Sequence, residues 1–165
     1  MRPGVRLGVD VGSVRVGLAQ SDRDGILATP LETVQVVLKE SKHFERIVSL
    51  VLELAVSEVI VGLPRSLSGR EGSAAGTVRA YAGEIARLVS PVPVRLVDER
   101  LSTITAHQRL REAGVKGRKH RPVVDQAASV VILQSALDTE RLSGRPPGSL
   151  VEPGPGPDGP SPGHE

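Results

Sequence analysis

Asp10 is the residue of this chain whose position most needs a chemical explanation. It lies inside an apolar strand that opens the chain. Because side chains alternate along a strand, the apolar residues at 7, 9 and 11 share one face, and Asp10 shares the other with Gly8 and Gly12. Burying a lone carboxylate costs several kcal/mol unless it is paired or bound to a metal. Two interpretations follow: a buried Asp held by hydrogen bonds, or a metal ligand or phosphate contact on a sheet face that glycines leave bare.

Three further acidic residues could act together with Asp10. Asp98 and Glu99 come directly after a strand predicted over residues 94–97, and Asp125 is expected in the first turn of the last helix. Taken singly, Asp98 could be a cap and Asp125 could stabilise the helix dipole. Because active sites of open α/β sheets form at the carboxyl ends of the strands, we expect Asp10, the acid pair and Asp125 at one edge.

Clustered carboxylates repel one another, and the pKa of at least one rises unless a cation neutralises them. Mg²⁺ or Mn²⁺ is the natural partner for a set of oxygen ligands. Two such ions about 4 Å apart would stabilise both the attacking and the leaving oxygen of a phosphodiester displacement. The acidic residues are therefore compatible with phosphodiester hydrolysis.

A basic loop precedes the third acidic segment. It is either a solvated surface loop or a clamp that holds nucleic-acid phosphates without reading sequence. The candidate phosphate-binding residues are Lys116, Arg118, Lys119 and Arg121 of this loop, with Arg15, Arg65, Arg70 and Arg100 extending the track.

The pattern of strands and helices predicts how these residues are positioned. A hairpin turn at Gly12-Ser13 leads from the first strand into a second one, in which Gly17 and Ala19 leave little side-chain bulk. The expected order is βββαβαβαα, with later elements over residues 26–37, 41–55, 58–62, 77–89, 94–97, 103–113 and 122–142. This predicts an α/β fold with a mixed five-stranded sheet, formed by an antiparallel three-strand meander and two parallel strands and flanked by helices.

Composition excludes several classes of site. The chain has 165 residues, no cysteine and a formal net charge of +2, so disulfides and thiolate metal sites are excluded. Phe44 and Tyr81 are the only aromatic residues apart from histidine, which excludes an aromatic platform for base stacking. No apolar run reaches membrane-spanning length and no signal peptide is recognised, so we expect a cytoplasmic protein without a membrane partner.

The C-terminal residues differ in composition from the rest. Residues 144–165 hold seven of the 13 prolines and six of the 18 glycines. We therefore expect one folded domain over residues 1–143 and a disordered Pro/Gly-rich tail over residues 144–165.

The chain resembles the YqgF (RuvX) family, described as Holliday-junction resolvases and as nucleases that process pre-16S ribosomal RNA. The matching segments occur in family order over about 130 residues, and the ordered set is far more specific than any one motif. They are Gly8 to Ala19, Pro30 to Val34, Val61 to Pro64 with Gly69, Asp98 to Thr103 with Ala106, and Asp125 to Ala128 with Ile132 to Gln134.

The resemblance implies a ribonuclease H-like fold and a metal-dependent nuclease. It implies that Asp10, the acid pair and Asp125 form the metal site, and within the pair we assign the ligand role to Glu99 ahead of Asp98. The implied partner is nucleic acid, either a ribosomal RNA precursor or branched DNA, and the implied metal is Mg²⁺ or Mn²⁺. A monomer and a homodimer both remain open, since resolving a junction symmetrically needs two active sites.

Two other functions remain open from the residues. Asp10 to Ser13 with the later Gly17 and Ala19 is similar to the first phosphate motif of the actin and sugar-kinase group of ATP-binding proteins. Those proteins clamp the nucleotide between two such domains, whereas this chain has the length of one. The other possibility is a nucleic-acid-binding accessory factor without turnover.

Overall fold

The computed structural model describes residues 2–37, 40–64, 72–99 and 121–154, and of residues 121–127 only the helical backbone. The predicted helix over residues 103–113 and most of the basic loop lie outside these ranges. The elements are β1 (Val5–Val11), β2 (Arg15–Ser21), β3 (Ala28–Gln35), α1 (Lys42–Glu53), β4 (Val56–Leu63), α2 (Ser73–Val89), β5 (Val94–Asp98), α3 (Arg121–Ser143) and β6 (Ser149–Leu150).

The strands form one mixed sheet in the order β3-β2-β1-β4-β5-β6. The first three strands are an antiparallel meander, and β4 and β5 run parallel to β1, as predicted. The α/β class with a mixed sheet flanked by helices is therefore confirmed. The number of strands differs, because β6 pairs antiparallel with β5 and makes six strands instead of five.

Helices cover both faces of the sheet. Helices α1 and α2 pack on the face that carries Leu7 and Val9, where they form the larger apolar core. Helix α3 packs on the other face through Ile132, Leu133, Ala136 and Leu137. It lies so close to β1 that a Cβ atom at Gly8 would be 2.7 Å from the Cβ of Leu133. A glycine on this face of β1 is therefore required by the approach of the helix.

The segment after α3 contradicts the expected domain boundary. Residues 145–147 lead to a turn at Gly148, whose φ of +62° favours glycine, and a Cβ there would lie 2.0 Å from the Leu96 carbonyl oxygen. Strand β6 then pairs with β5, and the Val151 N–H donates to the Val94 carbonyl at 2.8 Å. The expectation of disorder from residue 144 is therefore wrong for residues 144–154, because backbone pairing with the sheet edge replaces the missing apolar burial. Residues 155–165 lie outside the described ranges.

A chain ending at Ser143 is expected to melt about 5 °C below the full chain. It loses the β5–β6 ladder, the buried Pro147 and the half-buried Val151. A chain ending at Gly154 keeps all three and serves as the matched control, with an expected melting temperature within about one degree of the full chain. Thermal unfolding by circular dichroism measures both, and equal melting temperatures for the two shortened chains would contradict a stabilising role of residues 144–154.

A buried network of ion pairs joins the amino ends of the parallel strands to the end of α3. The Arg2 guanidinium pairs with Glu58 at 3.0 Å and also with Glu140. Arg6 reaches Glu140 at 3.2 Å, and Arg95 reaches Glu58 at 2.9 Å. Glu58 and Glu140 are both buried. The network lies at the end of the sheet opposite to Asp10, so it holds the scaffold together away from the candidate site.

Two details of the helices differ from the sequence-based expectation. Helix α2 begins at Ser73, four residues before the predicted start, and the Ser41 side chain makes no capping hydrogen bond to α1. In the part of the chain that the structure describes, no helix is both long and apolar enough to cross a membrane.

Candidate active site

Asp10 is half-buried and lies next to the carboxyl end of β1, on the face that α3 covers. Two cross-strand pairs extend from it across the sheet: Asp10 is opposite Gly17 on β2, and Gly17 is opposite Thr33 on β3. Residues that are directly opposite project to the same face of a sheet. Asp10 and Thr33 are therefore separated by a strand position that has no side chain.

Glu99 follows directly after β5, whose carboxyl end lies at the same edge as that of β1 because β1, β4 and β5 are parallel. Burial, the charge of Asp10 and the charge of Asp98, in this order, raise the pKa of the Glu99 carboxyl above its ordinary value of 4.5. Both neighbouring charges disfavour the ionised form of Glu99. The topology thus places Asp10, Asp98 and Glu99 at one edge of the sheet.

Asp98 and Glu99 have different surroundings. Asp98 is paired with Leu63 of β4 at the end of the ladder, and it lines a cavity of about 220 Å³ between β5, α3 and the turn at Gly148. Asp10 does not line that cavity; it lines a separate one. Of the two neighbouring charges, that of Asp10 has the larger effect on Glu99. The assignment of the ligand role to Glu99 ahead of Asp98 stays a prediction.

Asp125 lies in α3, but one expectation about it is wrong. The helix begins at Arg121, so Asp125 is its fifth residue, and the first turn contains no acidic residue. Stabilisation of the helix dipole falls off within the first turn, which weakens that explanation for Asp125. The side chain of Asp125 lies outside the described part of the structure, so its place in the site stays a prediction.

The donor set fits a hard divalent cation. Carboxylate oxygens are the ligands that Mg²⁺ and Mn²⁺ prefer. Burial raises the pKa of the Glu99 carboxyl most, and the charges of Asp10 and Asp98 add to this effect, which a bound cation would oppose. Among the described side chains, no three acidic or histidine residues converge closely enough to hold an ion by themselves. A complete site would therefore need a ligand from outside this set, and Asp125 is the candidate.

A shallow cavity of about 230 Å³ opens beside Asp10 at the tip of the β1–β2 hairpin. Its wall is fixed by backbone hydrogen bonds: the Gly12 N–H donates to the Arg15 carbonyl at 2.9 Å, and the Val36 N–H donates to the Val14 carbonyl at 2.8 Å. The residues that line it are Asp10, Gly12, Ser13, Val14, Arg15, Gly17 and Thr33. Sequence reasoning gave Thr33 no functional role, although it lies in the matching segment Pro30 to Val34.

Only part of the predicted basic track can be placed. Arg15 is exposed at the hairpin tip and lines the cavity beside Asp10. Arg121 is the first residue of α3, and its side chain lies outside the described set. The other predicted phosphate-binding residues, Arg65, Arg70, Arg100, Lys116, Arg118 and Lys119, fall outside the described ranges.

Glu99→Gln is expected to raise the melting temperature of the metal-free protein at neutral pH and to flatten its pH dependence. The folded-state pKa of Glu99 is raised, so the folded chain keeps a proton that the unfolded chain has lost. The stability of the native protein therefore falls as pH rises from the pKa of Glu99 in the unfolded chain to its higher pKa in the folded chain. Glutamine does not titrate, so it removes this loss of stability. Melting curves in chelator between pH 4 and 8 measure it.

Asp24→Asn, in the exposed turn between β2 and β3, is the matched control and is expected to change neither quantity. If Glu99→Gln gave the same pH profile of stability as the native chain, the pKa of the Glu99 carboxyl would not be raised in the folded protein.

Three comparisons with known proteins bear on this site. A family model described as "RuvX: Holliday junction resolvase" matches residues 4–139. A relative from Streptomyces coelicolor, named "Putative pre-16S rRNA nuclease", is 58% identical over 152 residues, which are 92% of this chain and 90% of the relative. A relative of the same name from Nocardioides sp. is 55% identical over 154 residues, 92% of this chain and 99% of the relative.

A solved structure shares the fold. T. thermophilus RuvC in complex with a Holliday junction substrate superimposes with a TM-score of 0.58 at 21% identity, over 87% of this chain and 99% of that chain. The likeness confirms the ribonuclease H-like fold that the family resemblance implies.

Proposed function

Because this chain belongs to the RuvX family of Holliday junction resolvases, we propose that it is a metal-dependent endonuclease that hydrolyses phosphodiester bonds in structured nucleic acid. The observation that supports the proposal is the position of Asp10, Asp98 and Glu99 at the carboxyl edge of the parallel strands, where Asp10 lines an open cavity. Burial, followed by the charges of Asp10 and Asp98, also raises the pKa of the Glu99 carboxyl, and perturbed pKa values of this kind cluster at functional sites.

Asp10, Glu99 and Asp125 are the residues that would hold the ions, and Asp98 would add negative charge beside them. When bound, two Mg²⁺ or Mn²⁺ ions supply the positive charge that stabilises the attacking and leaving oxygens of the displaced phosphate. Asp10 presents its carboxylate to an open cavity, where a nucleic-acid strand can reach it. Arg15 at the rim of that cavity, with the basic residues of segments 65–70, 100 and 116–121, would hold flanking phosphates.

The first substrate to test is the 5′ end of the 16S ribosomal RNA precursor. Two relatives that are 58% and 55% identical over most of their length are named "Putative pre-16S rRNA nuclease", whereas the likeness to RuvC is a likeness of fold. A role in ribosomal RNA processing would place the protein in the cytoplasm. Four-way DNA is the second substrate, and symmetric cleavage of it would require a homodimer, whereas trimming of RNA does not.

The test offers both substrates to the same preparation, with Mg²⁺, with Mn²⁺ and with a chelator. We expect cleavage that depends on the metal and is absent in chelator. Binding of either nucleic acid without cleavage under every metal condition would contradict the proposal and favour the accessory factor. Cleavage that persists in chelator would contradict the metal dependence alone.

A further inference from the structure

Thr33 lines the cavity beside Asp10, and it belongs neither to the proposed metal site nor to the predicted phosphate-binding residues. It lies on β3, the outermost strand on this side of the sheet, and it is half-buried. The cross-strand pairs Asp10–Gly17 and Gly17–Thr33 place it in one row with Asp10. With neighbouring strands about 4.8 Å apart, the Cα atoms of Asp10 and Thr33 are separated by roughly 10 Å. Thr33 is therefore near Asp10 but too far away to share its ions.

The cavity between these two residues has fixed walls. Backbone hydrogen bonds hold the hairpin tip: one joins Gly12 to Arg15 within the turn, and one joins Val14 to Val36, the residue after β3. A Cβ atom at Gly12 would lie 2.6 Å from the Arg15 carbonyl oxygen, so the turn depends on glycine. Gly17 adds no side chain to the row. A ligand that reaches Asp10 from this side therefore meets a preformed surface in which Thr33 supplies a hydroxyl group.

The Thr33 hydroxyl can both donate and accept a hydrogen bond. It is not used in a hydrogen bond with the other groups that the structure describes. A nucleic-acid backbone offers acceptors on each phosphate and, in RNA, a 2′-hydroxyl that donates and accepts. We propose that the cavity between Asp10 and Thr33 binds the nucleotide adjacent to the cleaved bond, and that Thr33 contacts the sugar–phosphate backbone of this nucleotide. The inference rests on the proposed function, because Asp10 marks where the bond is cut.

Thr33→Val tests this contact, because valine keeps the shape and the strand preference of threonine and removes the hydroxyl. Thr29→Val is the matched control: Thr29 is exposed on the same strand, at the end remote from Asp10. The probe is a synthetic RNA hairpin with the pre-16S leader sequence, made with ribose or 2′-deoxyribose at the nucleotides that flank the cut. For Thr33→Val we expect KM to rise roughly five- to tenfold, with kcat and the melting temperature unchanged. Thr29→Val should match the wild type.

The two sugar forms of the probe distinguish the two backbone groups. A penalty seen only with ribose identifies the 2′-hydroxyl as the partner, and a penalty seen with both sugars identifies a phosphate oxygen. Equal KM values for the two valine variants and the wild type would overturn the inference. A fall in kcat at constant KM would also overturn it, since Thr33 would then act on the chemical step and not on the seating of the strand.

A measurement without turnover separates this inference from the proposed function. In an Asp10→Asn background, the dissociation constant of the hairpin is measured by fluorescence anisotropy with and without Thr33→Val. If the wild-type chain cuts no substrate but Thr33→Val still weakens binding roughly five- to tenfold, the nuclease proposal fails and the Thr33 contact stands. If the hairpin binds equally with and without Thr33→Val, the contact fails whatever the outcome of the cleavage assay.

Discussion

Asp10→Asn is expected to lower cleavage by more than about a hundredfold while the fold is retained. After burial, the charge of Asp10 is the largest cause of the raised pKa of Glu99. Asp10 also lines the open cavity. Asparagine keeps the size of the side chain and removes the charge that would hold a cation. Single-turnover cleavage in saturating Mg²⁺ measures the loss directly.

The same variant is expected to melt slightly above the wild type in metal-free buffer, because it removes part of the repulsion that raises the pKa of Glu99. Asp24→Asn, in the exposed turn between β2 and β3, is the matched control and should change neither activity nor stability. If Asp10→Asn kept more than about a tenth of wild-type turnover, Asp10 would not be a metal ligand of the reaction.

The position of Asp10 could be predicted from sequence because strand alternation is a local rule. Leu7 and Val9 pack into the core under α1 and α2, while Gly8 of the opposite face touches α3, as the period of two requires. The placement of Asp10 and Glu99 at one edge of the sheet could be predicted for a related reason, since parallel strands end at the same edge.

The position of Thr33 could not be predicted, because it depends on an irregularity of the β2–β3 ladder. The register shifts between Leu18 and Ala19, so that Gly17 is opposite Thr33. A regular ladder continued from the Ala19–Pro30 pair would place Glu32 opposite Gly17 and bring a charged side chain into the row with Asp10. A bulge of this kind depends on the twist of the sheet and leaves no clear mark in the sequence.

The C-terminal residues were misjudged for a different physical reason. Composition measures how much apolar surface a segment can bury, and residues 144–154 can bury little. Their order comes instead from backbone hydrogen bonds to the open edge of β5, which are available to almost any sequence without proline at the paired positions. Only the sheet itself shows that such an edge is present and in need of a partner.

The ion-pair network around Glu58 is likewise invisible in the sequence, because Arg2 and Glu140 are separated by 138 positions. In the folded chain, Glu58 is buried and receives both the Arg2 and the Arg95 guanidinium groups, at 3.0 Å and 2.9 Å. Within the described residues, Arg95 pairs with Glu58 alone. Loss of the Glu58 carboxylate would thus leave Arg95 without its ion-pair partner, whereas Arg2 would keep Glu140.

Glu58→Ala is expected to destabilise the protein by about 3–5 kcal/mol, because removal of one partner leaves buried charge uncompensated. The melting temperature should fall on the order of 10 °C. Glu53→Ala is the matched control: Glu53 also pairs with an arginine, Arg46, but its side chain is 60% exposed against 2% for Glu58. The control should cost less than about 1 kcal/mol. Urea unfolding of the three chains measures both losses of stability. A loss for Glu58→Ala as small as that of the control would show that Arg95 finds solvent or another partner when Glu58 is absent.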